Sequence, residues 1–386
     1  MSTRNAEPRK IKVICVAPGQ TVRGGIASLV ETIRVRVPDH IQFRIFATIS
    51  NYLGSDHPER GNWLVQAAVF IRAFLRVLLV GIFSRKTVFH VHSSMRGSLL
   101  RKGLICVVLR SLRCRYVVHA HGAEDPLFQS WVPQFVRRAL LWGIRGADYF
   151  ITLTRSWGDH YVTAMRLPAD KLLQLPNPTV LPASLPDRTN REGLNILFLG
   201  RVGERKGAFE AIRAFAALPD DIRMRARLTL AGDGAIEEAR NLADHLGCSP
   251  QTSTPGWVSR QEVDRLLGEA DVFLLPSHGE GMSMALLEAM AWGLAVVTTG
   301  SGGADEFLVS DLNCILVKPG AIHEIATALC TLARNLQFRL RLGSEGRNTA
   351  NRFSVDGYMT KLMYLYAELA GDLRGSNRTR AVFTAG

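Results

Sequence analysis

Along this chain, short unbroken apolar runs alternate with longer stretches of helical spacing. Residues 12–17, 41–47, 87–92, 116–119 and 149–153 read as strands in the first half, and 195–200, 227–232, 272–275 and 294–298 in the second. Runs this apolar belong to parallel sheets covered on both faces. The periodic stretches 26–36, 99–112, 261–270, 284–292 and 353–370 predict helices that do the covering. Such alternation predicts an α/β architecture of doubly wound sheets. A length of 386 residues exceeds one ordinary domain. The proline-rich polar stretch 178–194, with Pro178, Pro182 and Pro186, is the expected linker. Domains are therefore expected at 1–180 and 181–352, followed by a helix and polar tail at 353–386.

Two stretches stand apart from this rhythm. Residues 63–83 are apolar over nearly a membrane-spanning length, yet Arg72 and Arg76 sit in the middle, i and i+4 on one narrow stripe. Two central arginines argue against crossing a bilayer. The expectation is a core helix packed on the sheet with one exposed edge; a helix lying on lipid is the alternative. The other stretch is 272–299: strand, turn, short helix stopped by Gly293, strand. Its helix is apolar nearly all round except for Glu288. A carboxylate buried there must shift its pKa, find a donor or bind something. Glu280 lies eight residues earlier in the preceding turn, roughly 12 Å away and on the same side if the spacing is helical. Together they can grip two ends of an elongated ligand, with free helix N–H groups between them.

The Glu280-x7-Glu288 spacing within PSHGEGMSMALLEAMAWGLAVVTT closely resembles the signature of retaining glycosyltransferase family 4, of the bacterial exopolysaccharide or lipid-linked glycan type. The resemblance covers most of residues 11–370 and is strongest over 195–320. It implies the GT-B fold: two Rossmann-like domains facing across a cleft, with a C-terminal helix crossing back to the first. It also implies that Glu280 contacts the donor sugar and Glu288 the ribose of a nucleotide sugar, beside Gly281, Met282, Ser283 and Met284. The segment GRVGERKG resembles the family's G-R-x-x-x-x-K-G element, whose Arg201 and Lys206 would hold the donor diphosphate; Arg205 could compete with Lys206. Two cations at a strand end suit charge developing on a departing diphosphate. His121, before the glycine of VVHAHG, matches the family's active-site histidine, ahead of His119 as a structural residue and His92 as a second candidate. The loop with Gly24 and Gly25 would lie near donor phosphates and acceptor. Gly256-Trp257-Val258 resembles the short strand that meets the base. Three departures stand out: Pro178 after Asn177, which leaves the role of that asparagine open, Gly300, and Cys314 in a glycine place.

Charge adds an asymmetry. Residues 1–180 hold 25 Lys and Arg against 10 Asp and Glu, or +15, and residues 181–386 hold 22 against 24, or −2. The basic half should face something anionic. Its arginines (Arg72, Arg76, Arg101, Arg110, Arg113, Arg137, Arg138, Arg145) lie in or beside amphipathic segments with Trp131 and Trp142, which suits a membrane surface. They are interleaved with aliphatic stretches instead of exposed aromatics, so nucleic acid is not expected. No Asp-x-Asp marks a strand end, and the resemblance implies no metal and no cofactor beyond the donor. The six cysteines form no zinc spacing and read as reduced thiols; the polar N-terminus shows no signal peptide. The implied activity is retaining transfer of a sugar from a nucleotide diphosphate to an acceptor hydroxyl, on a lipid-linked or membrane-presented glycan. Its expected place is the cytoplasmic face of the inner membrane. A catalytically silent nucleotide-sugar-binding scaffold and a nucleic-acid-binding protein are the rival classes.

Overall fold

A computed structural model describes residues 10–50, 63–84, 86–94, 97–122, 132–189, 191–300, 302–373, 379 and 381–383. Trp131 lies outside the described residues. The chain forms two compact units, one of residues 1–176 with 356–386 and one of residues 177–355.

The first unit runs β1 (Ile11–Ala17), α1 (Gly25–Arg36), β2 (Ile41–Ala47), α2 (Trp63–Phe83), β3 (Thr87–Ser93), α3 (Gly97–Ser111), β4 (Arg115–Ala120), α4 (Gln134–Arg145), β5 (Tyr149–Thr152), α5 (Arg155–Met165) and β6 (Leu172–Gln174). All strands are parallel, in the order β2-β1-β3-β4-β5-β6. Alternation along the strands splits the core. Ile14, Val16, Phe89, Val91, Tyr116 and Val118 meet the layer of α3 and α4, while Cys15 and Ala17 face Val30 of α1.

The second unit contains β7 (Leu194–Leu199), α6 (Ala208–Ala216), α7 (Asp220–Arg223), β8 (Ala226–Ala231), α8 (Ile236–His245), β9 (Thr252–Gly256), α9 (Arg260–Glu269), β10 (Val272–Leu275), α10 (Met284–Ala291), β11 (Ala295–Thr298), β12 (Ile315–Leu316), α11 (Ile322–Arg334) and α12 (Leu336–Ala350). Its parallel sheet is ordered β12-β11-β10-β7-β8-β9. The last helix, α13 (Val355–Leu369), lies almost wholly in the first unit. There Tyr366 donates to or accepts from His90 Nδ1 at 2.7 Å, and the Tyr149 hydroxyl donates to Glu368 at 2.7 Å.

Two expectations need correcting. α2 is not a core helix with one exposed edge but the reverse. Only Ala73, Val77 and Gly81 are buried, whereas Trp63 is 74% and Phe83 81% exposed and Ile71, Leu75, Leu79 and Ile82 also face outward. Residues at i, i+4 and i+8 let the helix sit close on a narrow stripe; a Cβ added at Gly81 would press on Leu112 and Cys114. The strand expected at Gly256-Trp257-Val258 ends at Gly256, and Trp257 is exposed beyond it. Gly256 adopts φ 79°, a left-handed turn that stops the ladder there.

Candidate functional site

In open parallel sheets ligands bind outside the carboxyl ends of the strands, where the strand order reverses. In the second unit that switch point lies between β7 and β10. From β7 the chain passes Gly200 to the exposed Arg201, then a single 3-10 turn, Glu204–Lys206, closed by Gly207. From β10 it passes Pro276 to Glu280. Gly207 has φ 74°, and any side chain there would strike the Pro276 carbonyl. Two backbones thus lie against each other and bring their side chains together.

The meeting point is Glu280. Its Oε1 forms an ion pair with Lys206 Nζ and another with Arg205 Nη1 at 3.0 Å. The Arg205 guanidinium also donates to the Gly279 carbonyl at 3.0 Å, while His278 N–H donates to the Arg205 carbonyl at 2.9 Å. Burial pushes the Lys206 ammonium below its ordinary range, and Glu280 opposes that shift. The loop is tied down further by Thr299, whose hydroxyl donates to the Ser277 carbonyl at 2.6 Å. Gly302, at φ 75°, packs so tightly on the Glu280 carbonyl that a Cβ would overlap it. Arg201 makes no ion pair with any described residue.

Beyond Gly281, Met282 and Ser283 are buried, and the Ser283 hydroxyl caps α10 by accepting from Leu286 N–H at 3.4 Å. Asn177, whose role the sequence left open, is buried and donates to the Met282 carbonyl at 2.8 Å; its Oδ1 has no partner among the described residues. Glu288 lies largely buried on α10 and is ion-paired with Arg260 of α9, which also holds Asp264 at 2.6 Å. Burial pushes the Glu288 carboxyl up and Arg260 pulls it back. Arg260 is the residue that sequence reading missed. Its only signal was its position just after the capping Ser259, in the first turn of α9.

In the first unit, Gly24 precedes α1 with φ 138°, and a Cβ there would meet nothing within 4 Å. Gly25 is the first residue of the helix. His121, His119 and His92 are brought together with His90. Four imidazoles form two hydrogen-bonded pairs, His90 Nε2 with His119 Nδ1 at 3.3 Å and His92 Nδ1 with His121 Nε2 at 2.9 Å. The pairs stack, His90 on His92 and His119 on His121, with centroids 4.1 Å apart in each case. Residues i and i+2 of β3 project to one face, and the β3–β4 register sets His92 beside His119. Burial pushes His90 and His121 down to about 3 and holds His92 and His119 well below their ordinary value, so all four are neutral. Ring nitrogens of His90, His92 and His119 lie within 4.8 Å of one another, a spacing a metal ion could use. Their stacked rings and mutual hydrogen bonds, however, direct lone pairs into separate planes.

Two family models match the chain: glycosyl transferase 4-like domain over residues 10–178, and glycosyl transferases group 1 over residues 187–349. Among solved structures, HepE of Anabaena in complex with UDP superposes with a TM-score of 0.72 at 17% identity, covering 93% of this chain and 100% of that one. The fold is GT-B, and both halves match glycosyltransferase domains. Sucrose-phosphate synthase from Thermosynechococcus elongatus is similar to the same degree, with a TM-score of 0.72 at 18% identity over 94% of this chain and 100% of its own. Among sequence relatives, the lipopolysaccharide core biosynthesis glycosyltransferase LpsE of Rhizobium meliloti is 32% identical over 176 residues, 45% of this chain and 49% of its own length. The lipopolysaccharide glucosyltransferase WaaG of Escherichia coli is 27% identical over 186 residues, 47% of each. The chain spans about half the length of these relatives.

Proposed function

We propose that the protein is a metal-independent, retaining glycosyltransferase that moves a sugar from a nucleotide diphosphate donor to an acceptor hydroxyl. The observation that carries this reading is Glu280, held by Lys206 and Arg205 at the switch point of the second domain, just before the capped start of α10. Without ligand, Glu280 is the counter-ion of Lys206. An incoming diphosphate takes over Lys206 and Arg201, and the Glu280 carboxylate is released to accept hydrogen bonds from sugar hydroxyls. As the bond from the anomeric carbon to the diphosphate oxygen breaks, the acceptor hydroxyl oxygen bonds to that carbon on the same face and its proton passes to the departing diphosphate, whose charge those cations and the first N–H groups of α10 neutralise. That assigns to side chains the work a metal would do. Glu288, freed from Arg260, holds the ribose, and neutral His121 offers a hydrogen bond, not a charge. The HepE complexes with UDP and UDP-glucose support a uridine donor.

The acceptor in this reading is lipid-linked or membrane-presented, and the protein works peripherally on the cytoplasmic face of the inner membrane. Its support is the exposed apolar face of α2, edged by Arg72 and Arg76, together with exposed Phe135 of α4. The test of the chemistry is turnover of UDP-sugars with and without EDTA, with NMR of the anomeric proton of the product. Retained configuration, a rate unchanged by EDTA, and a loss of about 10²–10³-fold in turnover for Lys206→Met are expected. An inverted product, or activity abolished by EDTA, refutes the reading.

A further inference from the structure

The first domain has its own switch point, between β1 and β3. Lys102 of α3 reaches it and is only 2% exposed. Its ammonium donates to the Thr48 hydroxyl just past β2, and that hydroxyl donates to the carbonyl of Ala17, the last residue of β1, at 3.2 Å. A lysine has three donors. No carboxylate meets this one among the described residues, and its sole acceptor is neutral. Next to it Arg101 has a buried Nε without a partner and likewise forms no ion pair among the described residues. The Ser93 hydroxyl at the end of β3 is buried and has no partner among the described residues either, on the face that Phe89 and Val91 turn toward α3. A buried ammonium beside a half-buried guanidinium, with no counter-charge among the described residues, is costly. Burial, with Arg101 acting in the same direction, pushes the Lys102 ammonium down to about 7.

We infer that Lys102 on Thr48, with the neighbouring Arg101 and with Ser93 at the end of β3, forms an anion site that takes a phosphate group carried by the acceptor. Two adjacent cations with no counter-ion among the described residues match a dianionic phosphate ester better than a carboxylate. The assignment of the phosphate to the acceptor rests on the transferase reading; the anion site itself does not.

The test is thermal unfolding of the full chain with inorganic phosphate, in saturating UDP so that the diphosphate site of the second domain is filled. The first-domain transition of the wild type should rise by about 2–4 °C. Lys102→Met should melt higher than wild type without phosphate, because a lone buried charge is gone, and should no longer respond. Arg101→Gln, on a half-buried side chain, should fold and respond weakly. Equal phosphate shifts in wild type and both variants, no shift in wild type, or a lower melting point for Lys102→Met would overturn the site. Two further arms identify the source. A Lys102-dependent shift with glycerol 3-phosphate assigns a soluble acceptor, and one with phosphatidate vesicles alone assigns a lipid. Response to inorganic phosphate but to neither ester leaves an adventitious ion only and overturns the acceptor assignment. Failure of UDP to shift the second-domain transition would instead sink the transferase reading, with the Lys102 result standing on its own.

Discussion

In the second domain Glu280 faces Lys206 and Arg205, Glu288 faces Arg260, and Asp271 faces Arg191 at 3.6 Å. In the first domain three buried histidines and the half-buried His121 are neutral rings bonded in pairs, and Lys102 is buried against a hydroxyl. At these positions the second domain sets each carboxylate against a cation, while the first keeps its imidazoles neutral and its lysine on a hydroxyl; the division is local, because the first domain also pairs Arg115 with Asp148 at 2.8 Å and the second buries Arg188 against backbone carbonyls. The overall charges of the two halves, near zero and +15, repeat the contrast at larger scale. A domain that balances its own charges can exchange an internal carboxylate for a ligand phosphate. A domain that keeps unbalanced cations recruits the balancing charge from outside.

Acid should separate the two domains most strongly. The folded-state pKa values of the four histidines lie below the unfolded value of about 6.5, so the unfolded chain takes up protons first. Stability is intact above about pH 6.5 and is lost as pH falls toward 3, where His90 and His121 titrate in the folded state. Each ring contributes up to about 1.4 kcal/mol per pH unit in that window. Calorimetry from pH 7 to 5 should show the first-domain transition collapsing while the second persists. Parallel loss in both domains would erase the contrast.

Next in size is Glu288→Gln. Donor and free nucleotide should both bind about 10–150-fold more weakly, the equivalent of about 1.5–3 kcal/mol for a charged hydrogen bond. Unchanged UDP affinity in calorimetry would mean that Glu288 serves only as the counter-ion of Arg260.

The smallest effect concerns α2. Sedimentation with anionic vesicles should recover the wild type and fall as salt rises, and Arg72→Glu with Arg76→Glu should weaken binding by about 1 kcal/mol per residue. Equal recovery with neutral vesicles would show that the apolar face acts alone; no recovery with either would point to a soluble acceptor.

Much of the second domain's site could be read directly from the sequence, because its parts are local: a strand, a turn and a capped helix carry Glu280 to Glu288 within one short segment. The ion pairs were not, since Arg260 of α9 meets Glu288 of α10 across 28 residues of sequence. In the first domain the strand-end histidines stood out, but their pairing depends on the register of β3 against β4, which no short motif encodes. The sequence reading assigned no helix to 322–350, where α11 and α12 lie. α2 was misjudged for a physical reason: a helix apolar all round has no polar face to show which side is buried.

The hydroxyl of Tyr366 has a consequence for biosynthesis. It is the partner of His90, yet it lies 276 residues further along the chain, on the far side of the entire second domain. A ribosome therefore delivers the last wall of the first domain only after residues 177–355 have emerged. The domain made first is the one finished last, and a polypeptide halted at residue 355 would leave the histidine stack open on one side.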